Sequence, residues 1–148
     1  MGKIEDKLAK LGHALPAPSP PGKLEACVRV GNLVYTSGVG STTIGKLGRD
    51  LDAEKGYKAA QDCCLKLLAN LKSEIGDLDK IRKIVKLLSM VNSTLDFIDQ
   101  PAVAHGCTDL LIELFGEQAG KHCRSAVGMA SLPGGCAVEI EMIAEVTA

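Results

Sequence analysis

The sequence predicts an α+β domain in which a mainly antiparallel sheet carries two helices on one face. Three patterns point there. From Cys136 to Val146 apolar residues take every even position and Glu139, Glu141 and Glu145 take odd ones, a period of two that marks a strand with one buried face. Between Ala53 and Ile75, residues Tyr57, Ala60, Cys64, Leu67, Leu68, Leu71 and Ile75 recur at steps of three and four, the spacing of an amphipathic helix. Val103, Cys107, Leu110, Leu111 and Leu114 repeat that spacing after Pro101. The element order then reads ββαβαββ. Helices on one face leave the other bare, and a homo-oligomer is the simplest cover for it.

Each element has its own local signals. Ile4, Leu8 and Leu11 sit at helical spacing before Gly12, which predicts a short amphipathic helix. Pro16, Pro18, Pro20 and Pro21 force an extended course, because proline fixes φ and restricts the residue before it. Residues 1–21 are therefore read as an arm lying over a single domain of residues 22–148. Leu24–Val30 and Leu33–Ser37 are strand-like runs joined by Gly31-Asn32, a hairpin connection. The glycines at 40, 45 and 48 describe a loop without a phosphate-binding spacing. Asp52 suits an N-cap and Gly76 a helix end. Ile81–Val91 reads as a central strand buried on both faces. Asp99-Gln100-Pro101 opens the second helix, with Gly116 as its end. Finally, Pro133-Gly134-Gly135 supplies a reversal that makes Arg124–Ala130 the antiparallel partner of the last strand, bringing Arg124 towards its carboxylates.

Composition narrows the function classes. The 148 residues suit one core. With 17 Lys+Arg against 18 Asp+Glu, and two Tyr, two Phe and no Trp, there is neither the charge nor the stacking surface for nucleic-acid binding. Cys27, Cys63, Cys64, Cys107, Cys123 and Cys136 contain no Cys-x-x-Cys pair, so a metal site is not expected. Cys63 and Cys64 fit as small core residues. No apolar run follows the charged start and none approaches membrane-spanning length, so the expectation is a cytoplasmic protein with reduced thiols and no membrane partner.

The chemistry concentrates at Arg124 and the glutamates of the last strand. One reading is a surface arginine ion-paired across a solvated sheet face. The other is a guanidinium fork that takes a carboxylate ligand, with a nearby glutamate holding water or a substrate proton. The stretch with Arg124-Ser125, Leu132-Pro133 and Val138-Glu139-Ile140-Glu141 resembles the C-terminal signature of the reactive-intermediate deaminase family (RidA, also called YjgF or L-PSP). The Gly31-Asn32 hairpin leading to Ser37-Gly38 matches the same family, and the likeness spans roughly Gly22 to Val146.

That resemblance implies a chorismate-mutase-like fold, a homotrimer with ligand pockets between subunits, and cofactor-free hydrolysis of small enamines and imines to 2-keto acids and ammonia. It puts Arg124 in the place of the arginine that grips the substrate carboxylate and Glu139 in that of the glutamate that orients water or moves its proton. It also implies that Ser37 and Gly38 border the pocket, with Leu24 and His105 at positions where relatives carry a tyrosine and an asparagine. Ala126 stands where the well-studied branch has a cysteine, and together with the N-terminal arm these departures point to a longer, less characterised branch. Cys123 lies beside Arg124 and His122, but adjacent strand residues point to opposite faces, and neither it nor Cys107 reads as a nucleophile. His122 reads as a strand-edge residue. Two other functions stay open: a non-catalytic small-carboxylate binder or sensor, and an endoribonuclease, against which the composition argues.

Overall fold

The computed structural model describes residues 2–148. Helix α1 (Lys3–Lys10) is followed by the proline arm and then by strands β1 (Cys27–Val30), β2 (Leu33–Thr36) and β3 (Val39–Gly40). Helix α2 (Ala53–Ile75), strand β4 (Ile81–Asn92), helix α3 (Gln100–Gly120), strand β5 (Cys123–Met129) and strand β6 (Val138–Val146) complete the chain. Asp52 caps α2 by accepting from the Lys55 amide at 2.9 Å, and Gly76 ends it with φ at 87°. Gly31, at φ 61°, turns β1 into β2. Helix α3 runs past Gly116, where φ of 80° breaks its path and redirects the last turn.

The sheet order is β1-β2-β6-β4-β5, with β3 added to the first half of β6. All pairings are antiparallel except β4 with β5, which is parallel. The expected β5–β6 hairpin is thus corrected. The β4-α3-β5 crossover makes β5 parallel to β4, as an intervening helix allows, and β6 returns on the far side of β4. The chain must cross a strand to get there, and the Pro133–Gly135 turn belongs to that crossing. Lys46 pins the crossing: its Nζ donates to Asn92 Oδ1 at 2.6 Å and to the Ala130 carbonyl at 2.7 Å.

The core lies between the sheet and the two long helices. Leu67, Leu68, Leu71, Leu111 and Leu114 meet Ile84, Leu87, Ile140 and Met142 there, and Cys63, Cys64 and Cys107 fill it as small apolar residues. Burial pushes the Cys63 and Cys107 thiols well above their ordinary range, which removes them from nucleophilic chemistry. The other sheet face is not covered. Val28 is 49 % exposed, Tyr35 43 % and Val127 38 %, and Leu88 and Met90 are half-buried. Strand β4 is therefore buried on one face only within a single chain, not on both as its composition suggests.

The arm is tied down. Asn70, buried on α2, accepts from the Ser19 amide at 2.7 Å and donates to the Ser19 hydroxyl at 3.0 Å. Among the described residues, no helix is long and apolar enough to cross a membrane.

Candidate functional site

Arg124, the second residue of edge strand β5, turns its side chain to the helix-bearing face, since it pairs in register with the buried Leu87. Its Nη1 contacts His105 Nδ1 and Thr108 Oγ1 of α3, both at 3.0 Å. A guanidinium only donates, so the His105 Nδ1 is an acceptor and that ring is held in its Nε2–H form. Both Nη1 protons are thereby used. The Nε–H and Nη2 hydrogens, which form the flat edge that matches a carboxylate, have no partner among the described residues. Nor does Arg124 form an ion pair within 4.0 Å. Asp109, an acid of the same helix, instead accepts from the Tyr57 hydroxyl at 2.8 Å. Burial, that bond and the Asp109 charge push the Tyr57 phenol up to about 12. Partial burial lowers the Arg124 pKa somewhat, opposed by Cys107 and Asp109. The result is a half-buried, anchored cation with one open face.

Two residues that sequence reasoning missed complete the anchor. Thr108 Oγ1 lies 3.0 Å from His122 Nε2, and His122 Nδ1 lies 2.7 Å from the Gly120 carbonyl. Two spacings in the sequence signal the group: His105 and Thr108 are three apart on a helix and share a side, and His122, just ahead of β5, is two residues from Arg124, both reaching Thr108. Cys123, between the last two, is exposed and donates to the Val85 carbonyl at 3.1 Å.

The other expected site residues gather elsewhere. Leu24 is 78 % exposed and, with Ser37, Gly38 and the arm residues Ser19 and Pro20, lines a cleft of about 270 Å³ beside Asn70. The Ser37 hydroxyl donates to the Glu25 carbonyl at 2.6 Å, so it fixes the chain leading into β1. Glu139 belongs with this group: a Cβ on Gly38 would stand 2.5 Å from its Oε2. Its carboxylate has no hydrogen-bond or ion-pair partner among the described residues. Glu139 pairs with Met90, whereas Arg124 pairs with Leu87. Three positions along β4 reverse the side-chain direction, so Arg124 and Glu139 lie on opposite faces of the sheet with β4 between them. The expectation that a hairpin brings them together in one chain is overturned.

Among the described residues, no cluster of three metal-ligating side chains occurs. Within one chain these residues form two separate groups: an anchored guanidinium at the β5 edge, and a cleft with a nearby carboxylate on the β1–β3 side.

Comparison with known proteins bears on the fold and the family. Residues 8–146 match the family model described as "YjgF/chorismate mutase-like, putative endoribonuclease". Protein TCP17 of Trypanosoma cruzi is 38 % identical over 97 % of this chain and 94 % of its own length. The crystal structure of Atu1372, a protein of unknown function from Agrobacterium tumefaciens, superposes with a TM-score of 0.90 at 38 % identity, covering 97 % of this chain and 92 % of that one. RidA from an Antarctic Psychrobacter shares the fold at a TM-score of 0.53 and 25 % identity, covering 88 % and 94 % of the two chains.

Proposed function

Given that the chain belongs to the YjgF/chorismate mutase-like family, we propose that it hydrolyses small enamines and imines of amino-acid metabolism to 2-keto acids and ammonia. The observation that supports this most is the Arg124 guanidinium: two protons are spent on neutral acceptors and the carboxylate-matching edge is left open. The substrate carboxylate takes that edge as a bidentate pair. An imine carbon is already electrophilic, so the remaining work is to place water on it and move protons. Glu139 takes a proton from the attacking water as the C–O bond forms. It returns that proton to nitrogen, giving the neutral carbinolamine, and then carries the remaining hydroxyl proton to nitrogen as the C=O bond forms, the C–N bond breaks and ammonia leaves. No redox step and no cofactor enter this sequence.

The two halves belong to different copies. A face-to-face pairing of like surfaces sets Arg124 against Arg124, whereas a head-to-tail contact sets the β5 edge of one copy against the Glu139 side of the next, and such contacts close into rings. The bare face with Val28, Tyr35 and Val127 is the surface such a ring covers. A homotrimer with pockets between subunits is the assembly we propose, in the cytoplasm, where all six thiols stay free.

Carboxylate binding without turnover is the second reading, and the separation of Arg124 from Glu139 within one chain favours it, because the grip is complete without the glutamate. A threonine dehydratase supplying the short-lived imine separates the two. Faster imine decay with the native protein, lost on Arg124→Ala, supports hydrolysis. Keto-acid binding with no effect on decay supports the binder, and neither effect defeats both readings.

A further inference from the structure

We infer that Thr108 and His122 are positioning residues for Arg124, forming a directed hydrogen-bond chain that sets the orientation of its open edge. The inference rests on Arg124 as the carboxylate grip proposed above and extends it to groups outside the pocket. A carbonyl only accepts, so the 2.7 Å contact with Gly120 puts a proton on His122 Nδ1. Burial disfavours the imidazolium, the bond to Gly120 opposes it, and the charges of Arg124 and Lys83 add to burial, so the balance lies with the neutral ring, which leaves a lone pair on Nε2. The Thr108 hydroxyl therefore donates to Nε2 across 3.0 Å and turns its oxygen to Arg124 Nη1, also at 3.0 Å. Each link fixes the direction of the next.

The far end of the chain is closely packed. Gly116 breaks α3, and the redirected turn brings Gly120 so close to the helix that a Cβ there would stand 2.5 Å from the Leu111 carbonyl oxygen and 2.8 Å from Ile112 Cα. The Gly120 carbonyl is thus held in place, His122 hangs from it, and Thr108 is oriented by His122. Arg124 accordingly presents Nε and Nη2 without first losing the rotamer freedom of a long side chain, and pre-organisation of this kind raises affinity.

The test is binding of 2-oxobutyrate, measured by titration calorimetry on the full chain. Native protein, Thr108→Val, Thr108→Ser, His122→Phe and Arg124→Ala are compared, with nitrogen NMR of the Arg124 side chain. Thr108→Val keeps the shape and removes the hydroxyl, and it should raise the Kd roughly tenfold, as loss of a hydrogen bond to a charged group does. Thr108→Ser should bind as native, and His122→Phe should fall between them. Separate Nη1 and Nη2 resonances in the native protein should merge in Thr108→Val, a sign of freed rotation that a purely structural role would not produce. Native affinity in Thr108→Val, or equal loss in Thr108→Ser, overturns the positioning role while leaving Arg124 as the grip. Native affinity in Arg124→Ala overturns the grip and this inference with it.

Discussion

Arg124 and Glu139 stand on opposite faces of one sheet, aligned with Leu87 and Met90 of the strand between them. Each lacks an oppositely charged partner among the described residues. A half-buried guanidinium and a carboxylate that do not neutralise one another within the chain are each free to meet a group from outside it. In the proposed function the guanidinium takes the anion of a ligand, and the carboxylate faces the next copy.

Gly38 keeps space for Glu139. A methyl group there meets the flexible end of the glutamate, which can swing away. Gly38→Ala is expected to lower imine turnover at least severalfold while leaving the melting temperature nearly unchanged, because no backbone strain is involved. Steady-state rates set beside thermal melts check this.

His122 makes stability depend on pH. Its folded pKa lies below the ordinary value, first because burial disfavours the charged ring and then because Arg124 and Lys83 repel it, while the bond to Gly120 opposes both. The unfolded chain thus binds the extra proton more readily. Stability from this group is full above about pH 6.5 and declines as pH falls from there through the folded pKa. Urea unfolding from about pH 7.5 downward should show that decline, and His122→Gln should flatten it.

Gly106 marks a close approach of α3 to α2. A Cβ at this buried position collides with the Tyr57 carbonyl oxygen, which is backbone and cannot step aside. Gly106→Ala should destabilise the fold by roughly 1–3 kcal/mol or more by forcing the helices apart. Chemical denaturation measures the loss directly.

Ser89 is fully buried and its hydroxyl has no partner among the described residues. Removing an unsatisfied buried hydroxyl relieves its desolvation cost. Ser89→Ala is accordingly expected to leave stability unchanged or raise it by about 1 kcal/mol, read from the midpoint of urea unfolding.

Local features were legible in the sequence because local physics sets them. Asp52 and Gly76 bound α2, Gly31-Asn32 turns the first hairpin, and the even-numbered apolar residues of β6 face the helices. Strand order is a different kind of information. Alternation in β5 and β6 records which side chains share a face, not which strand lies alongside, and the insertion of β4 between them has no local signature. The Arg124–Glu139 separation escaped notice for that reason. Resemblance pointed to Arg124, Glu139, Ser37, Gly38, Leu24 and His105 one by one, but their division into two groups follows from topology. Thr108 and His122 were missed because their role depends on the kink at Gly116, which looked like a helix end.

The central claim is that Arg124 of one copy works with Glu139 of its neighbour, and subunit mixing tests it most directly. Arg124→Ala and Glu139→Gln chains, each inactive alone, are co-expressed in equal amounts and assayed in the dehydratase-coupled reaction. In a head-to-tail ring, random assembly places a native Arg124 against a native Glu139 at about one quarter of the contacts. The account predicts that activity returns to about that fraction of the native value. If both residues acted within one chain, no mixed assembly would contain a complete site, and activity that stays at the level of the separate variants would contradict the account.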